Sequence, residues 1–163
     1  MENMEIEDLR KSIRELFLHN FDTASMNRMV QNPGNLDLLV EALWAEVLEN
    51  NYPYQWRAAW FLEHVVDVHP HKADELLNPI LDAISGFNHE GQYRHVLKII
   101  LLSSQDLWDL GRVYDMAYGI MMNEVHAPAV RVHAMEIVSQ IVKKEPDLKY
   151  EFIESLKFIE VFK

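Results

Sequence analysis

A chain of 163 residues, 49 % hydrophobic and 25 % charged, suits one domain that buries its own core, and apolar runs such as Ile99 to Leu102 are too short to span a bilayer. A formal net charge of -11 repels phosphate backbones and anionic lipid, so nucleic acid and membrane are excluded as expected partners. The absence of cysteine removes disulfides, thiolate nucleophiles and cysteine-bearing metal sites. Residues 1 to 50 hold four Lys/Arg against ten Asp/Glu, residues 51 to 110 four against eight, and residues 111 to 163 seven against eight, so the acidity is concentrated in the first two thirds. The opening MENMEIEDLRKSIRE has no hydrophobic segment of the secretory kind, and a cytoplasmic location is the expectation.

Leu9, Ile13, Leu16 and Phe17 fall at helical spacing and mark the first helix. DTASMNRMVQNPG reads as a short second helix, capped by Asp22 or Thr23 and stopped at Asn32, Pro33 and Gly34. Asn35 caps a third, with Leu36, Leu39, Leu43 and Val47 as its stripe. Pro53 opens a fourth over about residues 54 to 68, because its missing N–H costs nothing in a first turn, and Pro70 follows its end. A fifth carries Leu76, Leu77, Ile80, Leu81 and Ile84, with Pro79 inside it as an expected kink and Gly86 as its stop. Helices over about 90–102, 105–122 and 128–144 follow, and a terminal one begins after Pro146. No run alternates strictly between apolar and polar residues, so there is no material for a sheet.

An internal period runs through this pattern. Arg57, Arg94 and Arg131 are spaced by 37 and 37, each preceded by Trp56, Tyr93 or Val130 and followed three later by Trp60, Leu97 or Ala134. Asn51 and Asn88 stand six residues before the first two arginines, whereas the third copy has Val125 there. FLEHVVDVHP and IVSQIVKKEP echo one another at an offset of 76, two more than twice the period, so the copies are not identical.

These positions resemble the HEAT and armadillo class of α-solenoids. In HEAT repeats a proline often bends the first helix of a pair, and an aspartate in the turn precedes by six an arginine that builds a hydrogen-bonded ladder between repeats. Pro79, Asn51 with Arg57 and Asn88 with Arg94 match that pattern, with asparagine in place of aspartate. The resemblance implies an all-α fold, a right-handed α-α superhelix of about eight or nine helices in antiparallel pairs. Expected boundaries within one domain are capping helices in 1–34, pairs in 35–69, 70–103 and 104–145, and a C-terminal cap in 146–163.

Trp56 and Trp60 lie four apart on one helix face at repeat positions, which predicts core packing. Arg57 is expected to serve the ladder, with a ligand clamp as the alternative, and Tyr52 and Tyr54, flanking Pro53 outside the repeat pattern, are the candidates for presenting aromatic faces to a partner. His64 and Asp67 share a helix face at metal-chelating spacing, yet His64 stands at the place of Leu101 and Val138 and is expected in the core. His69 and His71 bracket Pro70 at a helix end, where imidazoles meet orphan carbonyls or water. No H-E-x-x-H, Glu-x-x-His, Gly-x-Gly, P-loop or G-x-S-x-G sequence occurs, so no catalytic, cofactor or metal residue is assigned.

Two all-α enzyme families are weighed against this reading. The fumarase and aspartase superfamily, adenylosuccinate lyase included, has a serine-bearing loop that Ser103-Ser104-QDLWD does not reproduce. HEAT-like DNA glycosylases combine tryptophans with a basic channel that the charge pattern does not supply. The expectation is a non-enzymatic protein-binding or scaffold module whose concave acidic face takes a basic or amphipathic protein segment. A HEAT-like enzyme or lesion-binding protein, and a purely structural, self-associating protein, are the alternatives.

Overall fold

Short polar side chains set the helix starts, each giving its oxygen or ring nitrogen to a first-turn N–H that has no intrahelical acceptor. The computed structural model describes residues 2–19, 22–31 and 33–161, with the side chains of residues 2, 3, 160 and 161 outside that description. Among the described residues it contains nine α-helices, three short 3-10 turns and no strand. Asp22 accepts from Ser25 N at 2.6 Å at the start of α2 (Thr23–Gln31), and Asn35 accepts from Leu38 N at 3.1 Å at the start of α3 (Leu36–Leu48). Pro53, joined to Tyr52 by a cis peptide bond, precedes α4 (Tyr54–Val68). The chain divides at residue 103 into two units.

The first unit holds α1 (Glu2–His19) and α2, the hairpin of α3 and α4, and the hairpin of α5 (His71–Ala83) and α6 (Glu90–Leu102). Helix α4 is its centre, packing on α3, α6, α2, α5 and α1. The faces that meet are apolar at helical spacing: Ala58, Phe61, Leu62 and Val65 of α4, Leu43 and Val47 of α3, and Val96, Ile99 and Ile100 of α6 are all fully buried. Burying each of the larger ones contributes about 1.5–3 kcal/mol. Helix α1 docks through Ile13 and Phe17, whose ring meets Phe61 edge-on at 6.3 Å. It is also held by charge: Arg10 Nε donates to Glu46 Oε1 at 2.7 Å and Arg14 Nε to Glu46 Oε2 at 2.9 Å, while both arginines pair with Glu49. Glu46 is fully buried, so its charge persists only because two guanidiniums replace water around it.

Of the residues expected in the ladder, Asn51 with Arg57 and Asn88 with Arg94, Asn88 takes part, and its partners are residues other than the arginines. Asn88 Nδ2 donates to Asn50 O at 2.9 Å, Asn50 Nδ2 to Gly86 O at 3.1 Å, and Gln92 Nε2 to Val47 O and Asn50 Oδ1 at 2.8 Å each. Gln55 Nε2 adds a bond to Asn88 Oδ1 at 3.2 Å. These amides tie the turn of one hairpin to the turn of the next. Asn50, with φ of 54°, aims inward at the end of α3, and Asn51 is left exposed. Arg57 turns instead to α1 and donates to the Phe17 carbonyl. Arg94 is exposed.

Pro79 lies inside α5, which continues to Ala83 and ends through a 3-10 turn, Ile84–Gly86.

The second unit holds α7 (Leu110–Met122), α8 (Pro128–Lys144) and α9 (Lys149–Val161). The helix expected over 105–122 is divided: Gln105–Leu107 forms a 3-10 turn, and Asp109 restarts the chain by accepting from Arg112 N at 3.3 Å. Val113, Ala117 and Met121 pack on Val130, Ala134 and Ile137. Arg131 Nε donates to Met121 O at 2.8 Å. Arg57 and Arg131 thus do the same work in their own units, each satisfying a carbonyl in the last turn of a preceding helix. Helix α9 packs on α8 and reaches α7 through Tyr118 and Ser155, whose hydroxyls lie 2.8 Å apart, and through the Tyr114 phenol, which donates to Glu151 at 3.1 Å. No helix among the described residues is long and apolar enough to cross a membrane.

Candidate partner-binding groove

Helices α4 and α6 approach so closely at the start of α6 that only glycine fits there: a Cβ on Gly91 would stand 2.8 Å from Trp56 Cβ. The approach is fixed by a cap in which His89 Nδ1 accepts from Gly91 N at 3.0 Å while Gln92 Oε1 accepts from His89 N at 3.0 Å. Further along, the two helices leave an open groove of about 480 Å³. Trp56, Trp60, Glu63 and His64 line it from α4, where spacings of four, three and four keep them on one face. Arg94, His95 and Lys98 line it from α6.

The tryptophans are therefore not core residues. Phe61 and Leu62, one and two positions on, are fully buried, whereas Trp56 and Trp60 are half-buried along the groove. The register explains this: Ala58, Phe61, Leu62 and Val65 form the buried stripe of α4, and at about 100° per residue positions 56 and 60 lie on the opposite side of the helix. His64 leaves the core with them, its ring edge-on to Trp60 at 5.1 Å. Trp56 stacks on the His89 ring, with centroids 6.0 Å apart and planes within 17°, and Tyr52 lies against the same His89 ring at 5.7 Å. Tyr52, 68 % exposed, so extends the aromatic surface beyond the groove. Tyr54 faces elsewhere, half-buried under the Arg14 guanidinium at 5.8 Å. The Arg57 guanidinium lies over the Trp56 ring, 5.4 Å from its centroid.

Among the described residues lining the groove Glu63 is the one carboxylate, and both of its oxygens are engaged, Oε2 by His95 Nδ1 at 2.5 Å and Oε1 by Lys98 Nζ at 3.0 Å. Burial alone would raise the Glu63 carboxyl, but the hydrogen bonds and charges of His95 and Lys98 outweigh it and hold the group below its ordinary value. Arg94 is exposed, and no hydrogen bond or ion pair among the described residues engages it.

The acidity expected on the second-helix side is not in this groove. Asp37, Glu41 and Glu75 instead surround Trp44 in a cleft of about 320 Å³ between α3 and α5, the first helices of their hairpins. Lys72, buried there, pairs with Asp37 and, at 2.7 Å, with Glu75, and its charge holds the Asp37 carboxyl below the usual range.

His69 Nε2 lies 3.0 Å from Val30 O, in the last turn of α2, and the His69 and His71 rings meet edge-on at 6.3 Å. Among the described residues no group of three or more His, Asp or Glu side chains is arranged to hold a metal ion.

Sequence reasoning passed over Gln55 and Gln92, although they stand 37 apart like the arginines. It also passed over Glu63, His95 and Lys98. The face shared by Trp56, Trp60, Glu63 and His64, and the spacing of four from Arg94 to Lys98, were the available signals. A family model described as a HEAT repeat domain matches residues 2–162. No curated protein and no solved structure matches the chain.

Proposed function

The chain belongs to the HEAT repeat domain family, and from that premise we propose that it is a non-enzymatic protein-binding or scaffold module whose contact face is the α4–α6 groove. HEAT repeats generally mediate protein–protein contact, and stacked helix pairs offer extended surfaces to a partner chain. The observation that carries the reading is the placement of Trp56 and Trp60: half-buried, outside the core, and beside an exposed arginine. Tryptophan and arginine are the side chains that dominate binding hot spots, because a large ring or guanidinium loses much water area on contact at small entropic cost. A single internally paired carboxylate and no metal-holding cluster among the described residues give the groove little to do chemistry with.

The test is selection of a displayed peptide library on the full chain, with Trp56→Ala/Trp60→Ala as the counter-selecting variant. Peptides enriched on the native chain and lost on the variant are the expected result. Enrichment indifferent to the tryptophans would remove the groove as the contact face.

A further inference from the structure

We propose that the segment seated in the α4–α6 groove is acidic, with carboxylates flanking an apolar side chain. This rests on the reading of the groove as the contact face and adds the chemistry of its occupant.

The polar wall of the groove has donors to spare and few acceptors. Arg94 presents a planar fork of N–H donors to solvent, and that fork matches a carboxylate bidentately. Lys98, one turn further on the same face, gives one bond to Glu63 and keeps two more donors on its ammonium. A basic segment entering here would meet two permanent cations and find the one carboxylate, Glu63, already bonded at both oxygens. An acidic segment meets the reverse.

The apolar wall supplies the other half of recognition. Trp60, with His64 edge-on against it, and Trp56, with His89 stacked on it, line the groove with partly exposed apolar surface on which a leucine, proline or aromatic side chain would rest. Charge alone would give a rapid, unselective encounter; the rings add short-range fit.

The chain's net charge of -11 does not oppose this locally. The acids outside the groove act on it only through a field that decays over roughly 8 Å at physiological salt. Nucleic acid is less well matched than a peptide. Two cations neutralise too few phosphates for appreciable counterion release.

The experiment uses the full chain and three probes. These are a synthetic peptide alternating Asp/Glu with Leu and Phe, its Lys/Arg counterpart, and a single-stranded oligonucleotide, with binding followed by calorimetry. The acidic peptide should bind and the basic one should not. Arg94→Glu should weaken the acidic peptide by about tenfold or more and strengthen the basic one, while Arg94→Lys keeps part of the affinity. Trp60→Ala should weaken the acidic peptide as well. Because Arg94 is exposed, its variants are expected to fold, which an unchanged urea midpoint verifies. Equal binding of the acidic peptide by the native chain and Arg94→Glu overturns the proposal. If the library returns basic or neutral peptides that need the tryptophans, the acidic occupant is overturned while the groove stands. Oligonucleotide binding lost in Trp60→Ala overturns both in favour of nucleic acid.

Discussion

Trp60 and Phe61 are neighbours in sequence with opposite duties, and stability measurements should separate them. Phe61 is fully buried between α4 and α1, so Phe61→Ala should cost about 3–5 kcal/mol in urea unfolding. Trp60→Ala removes a partly exposed ring from the groove and should cost less, about 1–2 kcal/mol, because part of that ring is already in contact with water. Equal losses would return Trp60 to the core. Glu46 makes a second residue-scale case. Glu46→Gln leaves Arg10 and Arg14 facing a neutral amide and should cost about 3 kcal/mol, near the lower end for breaking a buried pair because Glu49 still engages both arginines. A loss below about 1 kcal/mol, the range of exposed pairs, would mean that water reaches this cluster. Tyr114 supplies a pH dependence. Burial, with the hydrogen bond and charge of Glu151, pushes its phenol up to about 12 from 10.0. A raised folded value means stability that is present below pH 10.0 and lost as pH rises towards about 12. Tyr114→Phe should flatten that alkaline decline.

Among elements, α6 shows best what the sequence could and could not reveal. Its span, 90–102, follows from the apolar period alone and agrees with Glu90–Leu102. Its cap was not legible, since histidine is a rare N-cap and His89 acts through a ring nitrogen. Gly91 was equally silent, because the reason for it is a contact with Trp56 from another hairpin. Gly91→Ala should force α6 away from α4 at that point, lowering stability by about 1–3 kcal/mol, the usual penalty for overpacking, and widening the near end of the groove. An unchanged unfolding midpoint would mean that the helices separate freely. Across the groove, α4 and α6 are joined by Glu63 with His95 and Lys98, and the carboxyl lies below its ordinary value. A lowered folded value gives stability that is present above the group's ordinary value of 4.5 and lost as pH falls through the folded pKa. Glu63→Gln should therefore be less sensitive than the native chain to acid below pH 4.5. An identical acid limb would show that the bridge adds nothing to stability.

For the molecule as a whole, the period of 37 located the helical hairpins because each repeats one pattern of buried and exposed positions. The HEAT resemblance read from that period agrees with the family match over residues 2–162. The same period assigned polar roles in part: it marked Asn88, which joins the ladder with Asn50 and Gln92, but also Asn51 and Arg94, which do not among the described residues, while Arg57 and Arg131 satisfy helix-end carbonyls. Hydrophobic spacing reports which face is buried, whereas hydrogen-bond partners depend on which turn a side chain can reach. Net charge misled for a related reason. It sums over the whole chain, and it does not show that Arg94 and Lys98 stand beside the tryptophans.

The central claim is that α4 and α6 together form the contact face. Its most direct test is amide chemical-shift mapping of the isotope-labelled full chain, titrated with a peptide recovered from the library selection. The account predicts that the largest shifts fall on residues 56–64 and 91–98, with the indole N–H signals of Trp56 and Trp60 among them. Shifts concentrated instead on the acidic cleft around Trp44, or on residues 110–161, would contradict it.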